Sequence, residues 1–178
     1  MTTPQEARKI RLKNDYSEML NIKGEVIQWR PLKGETPYVE AYELNVKIRT
    51  ITGSQPTYRS SHTLYMELPE NYPRVAPRIN MRTTPPPFHP NWYSIGNWCF
   101  GTWDIAEGLG HHVVRMVRTL QFDLDITNPD SPANRDANQW FLSQRNRGIF
   151  PCDSTALPDP TKSRFTVKHQ ATRKFEIT

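Results

Sequence analysis

The chain has 178 residues and a net charge of +5, which suits one domain with a sizeable core. A positive charge of this size fits nucleic acid or an acidic protein as partner and does not choose between them. The 16 prolines are about 9% of the chain, against a usual ~5%, and this excludes a plain helical bundle.

The sequence contains no sign of a membrane span or of export. It has no apolar run approaching ~18 residues, and its first ten residues lack the apolar stretch of a secretory signal. Two cysteines cannot form a disulfide framework. We therefore expect a reduced, cytoplasmic setting with no membrane contact.

The first half of the chain predicts one helix followed by an antiparallel meander. Apolar residues three and four apart indicate a helix over residues 5–22. Alternating or short apolar segments predict strands at residues 26–30, 38–51, 64–68 and 78–81, with Pro31 ending the first and Pro69 closing the third. Short strands joined by turns favour antiparallel pairing.

The second half begins with an irregular, proline-rich stretch at residues 69–91, which we expect aromatic side chains to hold in place. Helices are predicted at residues 111–124 and from 132 or 133 to about 147. We interpret residues 1–147 as the core domain and 148–178 as a polar C-terminal extension with one strand near 164–168. This order of elements is typical of the α+β class.

Several kinds of site are absent from the sequence. There is no glycine-rich phosphate loop, no paired-cysteine zinc spacing and no HExxH motif, so we expect no metal. His111 and His112 are interpreted as helix-terminal or solvated side chains rather than metal ligands. The basic start of the first helix fits a solvated face and a docking surface about equally well, and it contains Arg8, Lys9, Arg11 and Lys13.

Cys99 lies in an aromatic loop, eight residues after Asn91. A single cysteine is usually a small buried apolar residue, but a partly exposed loop with a nearby amide donor favours a nucleophile. The sequence places no histidine as an evident general base for Cys99. His89 is the nearest candidate, but its neighbouring prolines indicate a structural role. A thiol without a base is only a few per cent thiolate at pH 7, which suits attack on a thioester and not on an amide.

The joint spacing of three motifs resembles the ubiquitin-conjugating enzymes over roughly residues 5–147. The sequence His89-Pro90-Asn91 followed by Cys99 matches that family's His-Pro-Asn motif and active cysteine. The Tyr-Pro turn at residues 72–77 matches another family motif, and Ser131 stands at the family's acceptor gate. The resemblance implies an N-terminal helix, a four-stranded antiparallel meander, an active-site loop, a crossover helix and a C-terminal helix.

The resemblance also implies a function in a ubiquitin-like pathway. Cys99 would accept the modifier's C-terminus as a thioester from an activating enzyme and pass it to an amine of a target protein. Asn91 and Ser131 would assist the transfer, while His89 and Pro90 would be structural. The basic face of the first helix would dock the activating enzyme, and no metal or organic cofactor is implied.

Three departures from the family pattern bear on partners. Phe100-Gly101-Thr102 replaces the usual Leu-Asp-Ile/Leu after the cysteine, and Glu107-Gly108-Leu109 replaces a Trp-Ser-Pro stretch. Arg74 stands where many members carry a ligase-docking Phe. We therefore expect no dependence on a RING-type ligase. The divergence is similar to that of prokaryotic members, some of which belong to antiviral defence operons.

Two other functions remain open on the sequence. A catalytically inactive family member could act as an interaction scaffold, although such proteins typically lack the cysteine that is present here as Cys99. A basic nucleic-acid-binding protein is suggested by charge alone, without a recognisable binding motif, so we expect no nucleic-acid partner.

Overall fold

The computed structural model describes residues 1–163, and the strand predicted near residues 164–168 lies outside this range. The helices in it are α1 (Pro4–Ile22), α2 (Leu109–Leu120) and α3 (Arg135–Gln144). The strands in it are β1 (Ile27–Lys33), β2 (Ala41–Val46), β3 (Thr50–Gly53), β4 (Thr57–Arg59), β5 (His62–Glu67) and β6 (Arg78–Met81).

Strands β1, β2, β5 and β6 form a four-stranded antiparallel sheet in that order. Its buried side chains alternate with partly buried ones in β5, and the buried face packs against α1 and α2. The core between these layers includes Leu12, Met19, Leu44, Leu64, Met66, Ile79, Val113, Met116 and Val117. The predicted α+β order with a four-stranded meander is confirmed. No helix among residues 1–163 has the length and apolar character needed to cross a membrane.

Two strand boundaries differ from the prediction. Strand β1 continues through Pro31, which faces Tyr42 of β2, because β1 is an edge strand where the missing proline N–H removes no ladder bond. The strand predicted at residues 38–51 is divided into β2 and β3. Pairing of β2 with β5 ends at Val46, and the chain then leaves the sheet so that Ile51 joins a second apolar cluster with Phe122.

The helix limits also shift. Helix α2 ends at Leu120, because Phe122 adopts a left-handed backbone (φ 55°) that turns its ring into the second cluster. Leu124, predicted on the apolar face of this helix, is exposed. Helix α3 begins only at Arg135, and the Asn134 side chain caps it by accepting from the Ala137 amide at 3.0 Å.

Residues 148–163, called here the C-terminal strap, pack against the core. Phe150 and Cys152 are buried in the second cluster, since their apolar side chains gain from leaving water. The strap then returns to α1, where Asn21 Nδ2 donates to the Pro160 carbonyl at 2.7 Å. The strap therefore packs on the second cluster and also contacts α1.

Candidate active site

A tight hairpin explains the spacing between Asn91 and Cys99. The Cys99 amide donates to the Asn91 carbonyl at 2.8 Å. At the tip, the amide of Tyr93 donates to the Asn97 carbonyl and the amide of Gly96 to the Tyr93 carbonyl, both at 2.9 Å. Gly96 has φ +95°, where a side chain would be strained. The eight-residue separation is thus the length of chain needed to close the hairpin between Asn91 and Cys99.

Two tryptophans fix this hairpin to the core. Trp92 and Trp98 face each other in an isolated β-bridge, and both are buried. The Trp98 amide donates to the Ile79 carbonyl of β6 at 3.1 Å, and Trp92 Nε1 donates to Thr119 Oγ1 of α2 at 2.9 Å. The hairpin is therefore held from the sheet and from α2, as expected for an irregular loop pinned by aromatic side chains.

His89 is fully buried and supports the base of the hairpin. Its Nδ1 accepts from the Asn91 amide at 2.9 Å, so Nε2 carries the proton and lies 3.4 Å from Thr127 Oγ1. Its ring lies 4.3 Å from the Phe122 ring, and burial lowers the pKa of His89 to about 3. A neutral, fully bonded imidazole in this position fits a structural role better than that of a base.

The Asn91 side chain links the hairpin to the segment that follows α2. Its Nδ2 donates to the Ile126 carbonyl at 3.3 Å, and its Oδ1 accepts from the Asn128 amide at 3.0 Å. Through these contacts Asn91 ties the hairpin to residues 126–128. An amide nitrogen has two N–H donors, so one donor beyond the bond to Ile126 is available for another acceptor.

Pro90 connects the hairpin to the segment that contains Ser131, the predicted acceptor gate. Its carbonyl accepts from the Ala133 amide at 2.7 Å and from the Asn134 amide at 3.3 Å. Ser131 is exposed in the segment between these contacts and Asn128. The structure thus brings the His-Pro-Asn motif and residues 126–134 together, with Ser131 on the solvent side.

Cys99 is half-buried, and a side chain from α2 reaches its neighbours in the chain. Arg115 Nη1 donates to the Phe100 carbonyl at 2.6 Å, and its guanidinium lies 5.2 Å from the centre of the Trp98 ring. Sequence reasoning missed Arg115 because it lies on the polar face of an amphipathic helix, where most cations are solvated. No local pattern reveals that this position faces the cysteine loop.

Glu107 holds Arg115 in this position. Arg115 donates to both carboxylate oxygens of Glu107, from Nε and Nη2, each at 2.8 Å. Burial alone would raise the pKa of Glu107, but the hydrogen bonds and charges of His112 and Arg115 lower it to about 2. Glu107 is therefore ionised at neutral pH.

The two neighbouring histidines of α2 occupy different environments. His111 is exposed, with Nδ1 3.3 Å from Glu18. His112 lies in the first turn of α2, as the helix-terminal alternative predicts, but it is not solvated, because its ring is buried 4.8 Å from Trp98 and 4.9 Å from Trp103. Burial lowers the pKa of His112, although Glu107 opposes this shift.

A family model described as "Ubiquitin-conjugating enzyme" matches residues 11–148. The chain belongs to the ubiquitin-conjugating enzyme family. It is similar to the Caenorhabditis elegans protein "Ubiquitin-conjugating enzyme E2 1", with 32% identity over 82 residues. That match covers 46% of this chain and 42% of the relative, so the chain spans less than half the length of this curated relative.

Residues 107–109 and Arg74 lie in different environments. Glu107-Gly108-Leu109 leads into α2, with Gly108 as the N-cap, Leu109 buried and Glu107 paired to Arg115. Arg74 is exposed on the Tyr-Pro turn beside Val75, which is also exposed. Position 74 is therefore occupied by a surface cation.

The basic face of α1 is partly used within the protein. Arg8 donates to Glu40 Oε1 at 2.8 Å and to the Pro69 carbonyl at 3.3 Å. Lys9 and Lys13 are exposed. Of the four predicted docking residues, these two lysines have the free solvent access that docking requires.

Arg11 anchors α1 to the loop before α2. It donates to the buried Asp15 carboxylate at 2.8 Å, to Tyr72 Oη and to the Ile105 carbonyl at 2.6 Å. Burial raises the pKa of Asp15, against the opposing contributions of Tyr72 and Arg11. Removal of Arg11 would leave a buried carboxylate without its cation, which is costly. Arg11 is thus a part of the core.

Cys152 lies in a different environment from the half-buried Cys99. It is buried, with Sγ donating to the Arg49 carbonyl at 3.1 Å, and burial raises the pKa of its thiol to about 12. Within residues 1–163, no three His, Cys, Asp or Glu side chains gather closely enough to hold a metal ion.

Proposed function

We propose that this protein carries a ubiquitin-like modifier as a thioester on Cys99 and transfers it to an amine of a target protein. One observation supports this most strongly. Cys99 is half-buried, and its backbone amide donates to the Asn91 carbonyl. The backbone of the cysteine is therefore fixed while its side chain remains accessible.

The proposed transfer takes place in two steps. The Cys99 thiolate attacks the carbonyl carbon of the thioester on the activating enzyme, a new C–S bond forms, and the old C–S bond breaks to release that enzyme's thiolate. An amine nitrogen then attacks the Cys99 thioester, a C–N bond forms, and the Cys99 thiolate leaves while the amine gives its proton to solvent. Since thioester exchange is close to neutral in energy, positioning contributes more than strong base catalysis.

Asn91 is the proposed oxyanion donor for the second step. Its second N–H lies on the same side chain that fixes residues 126–128, so the donor comes pre-oriented. Ser131 is proposed to place or desolvate the incoming amine from the exposed segment beside Pro90. His89 and Pro90 support the hairpin and take no part in proton transfer.

Partners follow from the surface charges. The activating enzyme is proposed to dock on the α1 face through Lys9 and Lys13, which suits an acidic surface. Dependence on a RING-type ligase is not expected, because a cation at position 74 replaces the apolar anchor that such an interface would need. A stable thiol requires a reduced compartment, which fits the cytoplasm.

A place in bacterial antiviral defence completes the proposal and is supported only by the divergence of the motifs after Cys99 and before α2. Genes for an activating enzyme, a small modifier and a peptidase beside this one would support it. Neighbours without any such gene would contradict it.

The thioester is tested with ubiquitin that carries a C-terminal mercaptoethanesulfonate thioester, which bypasses the activating enzyme. The wild type and Cys152→Ala should form a ubiquitin adduct that thiols remove. Cys99→Ala should form none. Intact-mass measurement before and after thiol treatment identifies the adduct, and persistence of the adduct in Cys99→Ala would overturn the assignment of Cys99.

A further inference from the structure

Arg115 connects α2 to the Phe100–Gly101 peptide bond, one residue beyond Cys99. Its Nη1 donates to the Phe100 carbonyl at 2.6 Å, while Nε and Nη2 both donate to Glu107. Its guanidinium also lies over the Trp98 ring. Arg115 therefore contacts both residues that flank Cys99. We call these contacts of Arg115 with Glu107, Phe100 and Trp98 the Arg115 clamp.

The segment after Cys99 has few polar contacts, although the Phe100 ring packs beside Trp98 and His112. Within residues 1–163, the bond from Arg115 is the one hydrogen bond that residues 100–102 make. Gly101 has φ +74°, and a Cβ atom there would have no neighbour within 4 Å. Backbone without ladder bonds opens easily. The clamp thus adds a polar attachment of this backbone to the packing of the Phe100 ring.

Glu107 gives the clamp a rigid base. Its amide donates to the Asp104 carbonyl at 2.9 Å, and its carbonyl accepts from Arg11 of α1. Its carboxylate is ionised at neutral pH, since its pKa is lowered to about 2. The side chains of Arg115 and Glu107 are 27% and 17% exposed, so this ion pair is better shielded from water than an ordinary surface pair.

We propose that Arg115, held by Glu107, is a positioning residue that fixes the Cys99 loop for transfer. The inference rests on the proposed function of Cys99. The proposal connects two of the departures from the family pattern. Glu107, at one of these positions, holds Arg115, and Arg115 donates to Phe100, which is at the other. Without the clamp, the thioester carbonyl would drift from the Asn91 donor, and displacements of about 1 Å can cost roughly 100-fold in rate.

The test measures discharge of a preformed ubiquitin thioester on Cys99 to free lysine in single-turnover experiments. Arg115→Gln should lower the maximal rate by roughly 10-fold to 100-fold and leave the half-saturating lysine concentration unchanged. Arg115→Lys should recover much of the rate, since an ammonium group can still donate to the Phe100 carbonyl. The matched control is Arg118→Gln, which removes another cation of α2, one that pairs with Asp123 beyond the end of the helix. This variant should discharge at the wild-type rate.

Hydrogen exchange at the amides of residues 100–102 provides a readout independent of transfer. Exchange there should be faster in Arg115→Gln than in the wild type and in Arg118→Gln. A wild-type discharge rate in Arg115→Gln would overturn the inference and leave the proposed function of Cys99 intact. A slow rate that Arg115→Lys does not recover, together with a lower unfolding temperature than Arg118→Gln, would indicate a merely structural ion pair and would also overturn it.

If the wild type forms no adduct on Cys99, the proposed function fails. Exchange at residues 100–102 then still decides the structural half of the inference. Unchanged exchange in Arg115→Gln would show that Arg115 does not hold the loop.

Discussion

The Cys99 hairpin and the C-terminal strap are both irregular, and each carries one cysteine, but they are held in opposite ways. In the hairpin, the backbone is fixed by polar bonds, from the Cys99 amide to Asn91 and from Arg115 to Phe100, while the thiol is left half-buried. In the strap, the thiol itself is the anchor: Cys152 is buried and donates to the Arg49 carbonyl.

This comparison shows how one residue type obtains two functions. Burial disfavours the thiolate, because a charge loses its hydration in an apolar cluster, and the pKa of Cys152 accordingly rises to about 12. Polar bonds to the backbone restrict the cysteine without taking it from solvent. A nucleophile therefore needs a fixed backbone beneath an accessible side chain, and only the hairpin provides both.

The largest expected effect is a difference in alkylation between the two cysteines. In the folded protein at pH 8, iodoacetamide should modify Cys99 at least ~100-fold faster than Cys152, because the raised pKa leaves Cys152 almost entirely as the thiol. Peptide mass spectrometry at timed intervals measures both rates. In urea the two rates should converge, and similar rates in the folded protein would refute the comparison.

A second prediction separates the two roles of Asn91. Asn91→Ala should slow lysine discharge by ~100-fold if its N–H stabilises the oxyanion. Asn91→Asp is the matched variant, since it keeps an acceptor for the Asn128 amide and loses the Nδ2 donor. An oxyanion role predicts that Asn91→Asp discharges as slowly as Asn91→Ala but unfolds at a higher temperature. Normal discharge in Asn91→Asp would leave Asn91 as a loop tie only.

Acid should weaken the hairpin through His89, and the strap contains no histidine. The folded pKa of His89, about 3, lies below the ordinary value of 6.5, so the unfolded chain takes up a proton first as the pH falls. The stability contributed by neutral His89 is present above pH ~6.5 and decreases toward pH ~3. The loss between pH 7 and pH 5 should be about 2 kcal/mol.

Urea unfolding at these two pH values measures this loss. The comparison is between the wild type and His89→Gln. His62, whose pKa is lowered to about 4 by burial, contributes a similar loss of stability in both of them. His89→Gln should therefore lose about 2 kcal/mol less than the wild type on acidification. An equal loss in the variant and the wild type would exclude His89 as the source.

The smallest effect concerns the exposed lysines of α1. Reversing the charge of Lys9 and Lys13 should slow charging by an activating enzyme a few-fold at low salt and hardly at all at high salt, since exposed charges act mainly on the association rate. Charging rates at two ionic strengths test this. Equal slowing under both conditions, or none, would count against docking on this face. Neither lysine supports the hairpin or the strap, so adduct formation from the chemical thioester should be unchanged.

The sequence by itself determined the α+β order, the sheet and the position of the cysteine relative to Asn91. Alternating apolar residues in β2 and β5 identify a half-buried sheet because side chains on a strand point to opposite faces in turn. The eight-residue separation of Asn91 and Cys99 is visible in the sequence because the hairpin that it closes is local.

Only the tertiary structure decided which polar residues belong to the site. Arg11 and Arg115 look like solvated helix cations in the sequence, yet they donate to carbonyls of residues 105 and 100, far away in the chain. The Cys99 loop and its support come from segments that meet only when α1, α2 and the sheet pack together. A helical pattern specifies which face is polar, but the partner of each polar side chain depends on what folding brings opposite it.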